Sequence, residues 1–366
     1  MLNHESSHIG GGQTYFDGLT KGFQLTGYVV EHLQDVKDIQ ILRALLKSKA
    51  KYVVWNIYSE FPLWVYLFSF LMGKKNVFVI YGIWHLESVS TYWRNSSLKS
   101  LIKQKIQNKL FLIRQYSFAL FSDGICHLSL YSKSLFFHSF FFPTLRFKKQ
   151  SIIGGGVDKT LFYPLDSKQK RRLRQKLGIT KDEIVLLMTG RIEQRKNYLE
   201  GLAILEKLQK ELPKKSVRLY FIFSHGKYND DIYFTKITTE VKKRKLGAKV
   251  RFCFGMERAE VAQFYQLADV FLMLSLELET FGLVTLEALG CGCPVFGYSA
   301  CATPEIVTYH QSEFLVEAKN QKKLVADLKK YLQNPHKIFG IVFSQSVEHF
   351  TWPSVVQNIE KTILTQ

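Results

Sequence analysis

Residues 269–297 read DVFLMLSLELETFGLVTLEALGCGCPVFG. Asp269–Leu274 is an apolar run of strand length, a helix is expected to start near Gly282, and PVFG begins a second strand. The same alternation runs upstream. EIVLLMTG (183–190), SVRLYFIF (216–223) and KVRF (249–252) are β-rich apolar runs, while Leu199, Leu202, Leu205 and Leu208 recur at helical spacing. Strands that alternate with helices need right-handed crossovers and make a parallel sheet covered on both faces. The second half is therefore expected to be a doubly wound α/β domain, with ligand sites at the C-terminal ends of its strands.

The first half repeats the pattern more faintly. KYVVWN (51–56), NVFVIY (76–81) and DGICHLS (123–129) are strand candidates, and a helical stretch runs from about Asn95 to Phe118. SIIGGGVDKTLFYP (151–164) has the glycines and proline of a junction, and the basic stretch DSKQKRRLRQKLG follows it. The reading places one Rossmann-like domain over residues 1–155 and a second over 156–337. Residues 338–366 form a tail whose helix returns to the first domain.

Composition supports a globular protein. The 366 residues exceed the usual ~100–200 per domain, which fits two domains. With 46% hydrophobic and 22% charged residues, disorder, collagen-like repeats and coiled coil are excluded for the body of the chain. The five cysteines, at an odd count in a long chain, do not make a disulfide framework and suit a reducing compartment. MLNHESSHIGGGQTYF lacks the basic and apolar regions of a signal peptide. The longest apolar stretch, Phe61–Met72, falls short of the ~20 residues that cross a bilayer. A cytoplasmic protein is expected. Its 50 Lys+Arg against 31 Asp+Glu leave a net charge of +19, which favours an anionic partner.

Two segments can carry chemistry. In TGRIEQRKN (189–197), Arg191 sits just beyond a strand end and Lys196 at or near the start of the next helix. Two cations beside a helix N-terminus form a diphosphate clamp; the plainer reading is a solvated Arg/Lys pair. In the opening stretch, Glu279 lies at the strand tip and Glu287 about a turn and a half into the helix. The amides of Gly282, Leu283 and Val284 then face any anion in the cleft. A carboxylate accepts two hydroxyl hydrogen bonds at once, which suits a sugar or ribose. Either Glu alone is better explained by the helix dipole, worth ~0.3–1 kcal/mol; both together, with Phe281-Gly282 and the cations, are not.

These residues bring a family into view. GRIEQRKN, LADVFLMLSLELETFGLVTLEALGCGCPV and ATPEIV resemble the retaining nucleotide-sugar glycosyltransferases of the GT-B fold, glycosyltransferase family 4. SDGICHLSLYSKSLF, GGGVDKTLFYP and FTWPSVVQNI match more weakly, so the likeness runs from about Asp123 onward. The resemblance implies two Rossmann-like doubly wound domains facing across a cleft. It implies that Arg191 and Lys196 hold the donor diphosphate, that Glu287 binds the ribose and that Glu279 contacts the donor sugar, with Phe281, Gly282 and Leu283 lining the donor site. It also implies retention through front-face attack, with no metal and no separate cofactor.

Three features depart from the family pattern. Only MLNHES precedes Gly10, Gly11 and Gly12, so the first strand is short or missing. Gly11 and Gly12 can bring backbone to the diphosphate, resemble the family's acceptor-side loop, or form a simple turn. The family's sugar-facing histidine position holds Tyr81, with His85 four residues later; either can take the role, and His85 can equally be a packed residue. Cys301-Ala302-Thr303 stands where Gly-Gly commonly precedes Pro-Glu. Cys291, Cys293 and Cys301, with only His310 nearby, lack zinc spacing and read as buried thiols.

Arg94, Lys99, Lys103, Lys105, Lys109 and Arg114 interleave with Leu98, Leu101, Ile102, Ile106 and Ile113, uninterrupted by an acid. That is the pattern of a basic amphipathic helix on anionic lipid, extended by the aromatic run SLFFHSFFFPTLRFKK; it is also that of a core-facing helix with a solvated back. The expectation is a hexosyltransferase using a nucleotide-sugar donor, with a UDP-sugar favoured. The acceptor is a glycan, growing or polyprenyl-diphosphate-linked, at the inner face of the plasma membrane. The alternative is a non-catalytic GT-B subunit that binds a glycan or a sister transferase. Nucleic acid is disfavoured because no recognition motif accompanies the charge.

Overall fold

The computed structural model describes residues 2–3, 11–31, 33–34, 38–56, 63–82, 106, 121–139, 148–224, 230–308, 311–333 and 340–364. His85, His310, the basic stretch 91–118 apart from Ile106, and residues 140–147 of the aromatic run lie outside these. The chain divides into two compact units: Met1–Gly156 with Thr351–Gln366, and Val157–Phe350.

Among the described residues the first unit has six parallel strands: β1 (Leu2–Asn3), β2 (Leu33–Gln34), β3 (Tyr52–Asn56), β4 (Lys75–Ile80), β5 (Gly124–His127) and β6 (Lys149–Ile152). Their spatial order is β2-β1-β3-β4-β5-β6. The strand expected from KYVVWN is β3, where Val53, Val54 and Trp55 are all buried. The Trp55 indole N–H and the Ser69 hydroxyl both donate to Asn76 Oδ1, each at 2.8 Å, so these three buried side chains satisfy one another. β6, sequence KQSI, has no strand pattern of its own. It is a half-exposed edge strand held by its ladder with β5.

The terminal helix Trp352–Leu364 lies against the helix Gly11–Leu25, and glycine makes the contact possible. A Cβ at Gly18 would fall 2.2 Å from the Trp352 indole, and one at Gly22 2.8 Å from the Trp352 carbonyl oxygen. Tyr15 packs edge-on against the same indole, with centroids 5.2 Å apart. The helix is further tied by hydrogen bonds from Tyr28 to Glu360 and from Thr362 to Ser151.

The second unit holds β7 (Glu183–Gly190), β8 (Ser216–Phe223), β9 (Val250–Phe254), β10 (Val270–Met273), β11 (Val295–Tyr298) and β12 (Leu315–Val316). Every pairing is parallel, in the order β12-β11-β10-β7-β8-β9. Counted from β7 this is the 3-2-1-4-5-6 order of a Rossmann sheet. The apolar run of β7 is buried along its length because helices cover both faces. The helix Gly340–Ser346 stays with this unit, since Gly292 and Gly340 pack backbone to backbone: a Cβ on Gly292 would lie 2.7 Å from the Gly340 carbonyl oxygen. The return to the first unit, expected from residue 338, begins at Thr351.

Candidate functional site

In the second sheet the chain runs outward from β7 through β8 and β9, then restarts at β10 on the other side of β7. A crevice therefore opens beyond the carboxyl ends of β7 and β10, the switch point where doubly wound sheets bind ligands. The segment after β7 carries Arg191–Asn197 and the one after β10 carries Ser275–Gly282. Lys196 and Glu279, 83 positions apart in sequence, meet there: the ammonium lies 2.5 Å from Glu279 Oε2.

Local backbone geometry sets up this meeting. Gly190 has φ +138°, and a Cβ there would press on Lys196 Cε at 3.3 Å, so glycine lets the lysine stem cross the strand end. Lys196, expected at or near the start of the next helix, closes a 3-10 turn, Gln194–Lys196, just before it, and Asn197 in the left-handed region (φ 58°) turns the chain into the helix Tyr198–Glu211. Leu278, at φ 57°, is a non-glycine residue in the same region, and it turns Glu279 inward.

The pair belongs to a network. Arg195 Nη1 donates to Leu278 O at 3.2 Å and to Glu279 Oε2 at 3.4 Å, while its Nε bonds Glu193 Oε2 at 2.6 Å. Arg191 Nε pairs with the other Glu193 oxygen at 3.0 Å, and Ser275 donates to Glu279 Oε2 at 3.3 Å. Burial by itself would push the Glu279 carboxyl up. The Lys196 and Arg195 charges and the hydrogen bonds from Lys196 and Ser275 outweigh it, holding the carboxyl below its ordinary value. Three cations face two carboxylates, so the cluster is net positive, a field that favours an anion.

Glu287 stands in a contrasting environment. The helix Leu283–Gly290 is preceded by Gly282 at φ 93°, where a Cβ would meet Thr285 Oγ1 at 3.4 Å and Glu279 Cγ at 3.6 Å. In its first turn the Thr285 and Leu286 amides donate to Gly282 O at 2.9 and 3.4 Å, while those of Leu283 and Val284 come too early for an intrahelical acceptor. One turn further on, the Glu287 side chain is 14% exposed and bonds Arg258 Nη2 at 3.1 Å. The Tyr265 hydroxyl donates to its other oxygen at 3.4 Å and is itself 2.7 Å from Thr189 Oγ1. Desolvation pushes the Glu287 carboxyl up to about 7, against the pull of Arg258 and the Tyr265 hydrogen bond. Arg258 stands over the face of Phe162, its guanidinium carbon 5.3 Å from the ring centre.

The residues singled out in the sequence are not all placed alike. Arg191, Lys196, Glu279, Gly282, Leu283 and Glu287 are carried by the β7 and β10 ends of one sheet. Phe281 is buried, edge-on to Phe350 with centroids 6.0 Å apart, so its ring anchors the loop from within. Gly11 and Gly12 open a helix of the first unit, where a Cβ on Gly11 would lie 2.4 Å from the Tyr81 hydroxyl. Cys291 and Cys293 are buried thiols, and desolvation pushes Cys293 up to about 12. Among the described residues no three His, Cys, Asp or Glu side chains gather as metal ligands. The sequence reading passed over Glu193 and Arg195, although both lie within GRIEQRKN. It also passed over Arg258 and Tyr265, for which no local signal exists.

Residues 169–338 match the family of glycosyl transferases group 1. A D-inositol 3-phosphate glycosyltransferase of Jonesia denitrificans is 28% identical over 46% of this chain and 40% of its own length. The sulfoquinovosyl transferase SQD2 of Arabidopsis thaliana is 29% identical over 56% of this chain and 38% of its own. The chain thus spans well under half the length of these two relatives. Among solved structures, HepE of Anabaena in complex with UDP-glucose superposes with a TM-score of 0.73 at 17% identity, over 100% of this chain and 98% of that one. Residues 169–338 thus resemble the glycosyl transferases group 1 family, in a chain whose fold is GT-B.

Proposed function

We propose that the protein is a retaining, metal-independent hexosyltransferase. It moves a sugar from a UDP-linked donor to a growing or polyprenyl-diphosphate-linked glycan at the cytoplasmic face of the membrane. The observation that carries this reading is the buried Lys196–Glu279 pair at the β7/β10 switch point. A cation already balanced by a sugar-binding carboxylate is poised to share its charge with an arriving diphosphate. The UDP preference is supported by the HepE complex, solved with UDP-glucose.

In this reading Lys196 and Arg191 bind the diphosphate together with the first amides of the helix Leu283–Gly290. Glu287 accepts hydrogen bonds from the ribose hydroxyls, and Glu279 accepts one from a hydroxyl of the transferred sugar. An acceptor hydroxyl oxygen bonds to the anomeric carbon on the face from which the diphosphate departs. The old carbon–oxygen bond breaks with its electron pair left on the diphosphate, and the acceptor's proton passes to that phosphate oxygen. The cations stabilise the charge that develops on the leaving group and act where water is excluded.

The test is a thermal-shift panel with UDP, GDP, ADP and their sugar conjugates, in chelator. A ligand at 100 times its Kd stabilises by about 2.7 kcal/mol. A shift with UDP that is lost in Arg191→Ala is the expected result. No shift with any nucleotide would overturn the transferase reading in favour of a non-catalytic subunit.

A further inference from the structure

The helix Leu63–Leu71, LWVYLFSFL, contains no charged residue, yet it is not enclosed. A helix that is apolar all round belongs in an interior. Here Val65, Tyr66 and Ser69 do pack inward, with Tyr66 against Trp55 at 4.4 Å between centroids. The opposite side stays open: Trp64 is 44% exposed, Leu67 38%, Phe70 50% and Leu71 71%. At 3.6 residues per turn these four share an arc of about 120°. On the neighbouring helix Asp38–Lys47, Leu46 is also open, at 61% exposed. Scattered exposed leucines need no explanation, but a contiguous patch with a tryptophan in it does.

The rim of this patch is basic. Lys74 Nζ donates to Ser48 O at 3.0 Å and to Ala50 O at 2.9 Å, clamping the chain just past the apolar helix to the loop that follows Lys47 and carries Lys49 and Lys51. All three of these lysines are exposed. From Ile39 to Lys75 the sequence has six cations and one acid, Glu60. A second copy of the chain would bring the same lysines face to face, on a molecule of net charge +19, so self-association is opposed. Anionic lipid satisfies both halves of the surface. Tryptophan and leucine side chains dip into the headgroup boundary while lysines meet the phosphates.

We propose that the open face of the helix Leu63–Leu71, with Lys47, Lys49 and Lys51 at its rim, docks the first unit on an anionic membrane. The inference rests on the membrane-associated reading above and deepens it by naming a surface. It is independent of the basic stretch 91–118.

The experiment is co-sedimentation of the full chain with vesicles of phosphatidylcholine alone or with about one-third phosphatidylglycerol. Each rim lysine is worth roughly fivefold in partitioning at low salt, and each half-inserted leucine about fivefold to tenfold. Leu67→Glu with Leu71→Glu is expected to cut binding to the anionic vesicles at least tenfold. Lys47→Gln/Lys49→Gln/Lys51→Gln, at exposed positions that leave the core untouched, is expected to cut it by about a hundredfold. Trp64 emission is expected to shift to the blue on anionic vesicles only, a change absent in Trp64→Phe. Equal binding by wild type and both variants would overturn this surface while leaving membrane association in place. No binding by wild type would overturn both, and the UDP thermal shift reports separately on the transferase reading. Concentration-dependent dimers abolished by Leu67→Glu/Leu71→Glu, without vesicle binding, would make the patch an interface between copies and refute the proposal.

Discussion

Replacing Lys196 by methionine keeps the bulk of the stem and removes only the ammonium 2.5 Å from Glu279 Oε2. Both side chains are nearly buried, at 10% and 11% exposure. Deleting one partner of a buried ion pair costs about 3–5 kcal/mol, chiefly because the other charge is stranded. Arg195 at 3.4 Å and Ser275 at 3.3 Å still reach Glu279, which lowers the expected loss to about 2–4 kcal/mol. For a unit of this size that is a fall in Tm of roughly 5–15 °C. The pH dependence has a definite sign. In the wild type the folded carboxyl lies below its ordinary 4.5, so the pair stabilises above that pH and the benefit fades as pH falls through the folded value. In Lys196→Met the stranded carboxyl is raised instead, so the deficit relative to wild type shrinks on acidification from pH 7.5 to 5. Adding Glu279→Gln removes the stranded charge and recovers most of the Tm, but not turnover. Scanning calorimetry of the wild type and both variants at the two pH values, with a donor-consumption assay, is the test. A Tm loss under 1 °C at both pH values, or undiminished turnover, would refute it.

Three further outcomes are expected. Folded Glu287 keeps its proton between pH 4.5 and about 7, where the unfolded chain has lost it, so this group favours folding at low pH and costs stability as pH rises through 7. Glu287→Gln is therefore expected to match wild type at pH 5 and exceed its Tm at pH 8, and to abolish the rise in UDP affinity on passing pH 7; parallel curves would count against the ribose contact. Gly282→Ala forces a side chain into φ 93° and should cost roughly 1–2 kcal/mol, with weaker nucleotide binding by calorimetry. Trp352→Ala empties the slot formed by Gly18, Gly22 and Gly156 and should cost about 3–5 kcal/mol in urea unfolding of the first unit; a loss below 1 kcal/mol would show that the returning helix is held elsewhere.

The strands β7, β8 and β10 and the helix after Gly282 were legible from local pattern alone. Each is a contiguous run whose hydrophobic period and length match one kind of element, and burial on both sheet faces demands such runs. The placement of Arg191, Lys196, Glu279 and Glu287 was legible for a related reason, since each lies just beyond a recognisable strand or early in a helix. β6 was not legible: KQSI forms a strand only because β5 offers it a ladder. Nor were the partners that set the charge of the site. Lys196 reaches Glu279 across 83 positions and Arg258 reaches Glu287 across 29, because β10 lies beside β7 in the sheet and not beside β9. Periodicity is a property of neighbours along the chain, and it specifies elements and their buried faces. Which loop meets which, and so which carboxylate stays ionised, is decided by strand order and close packing in the folded sheet.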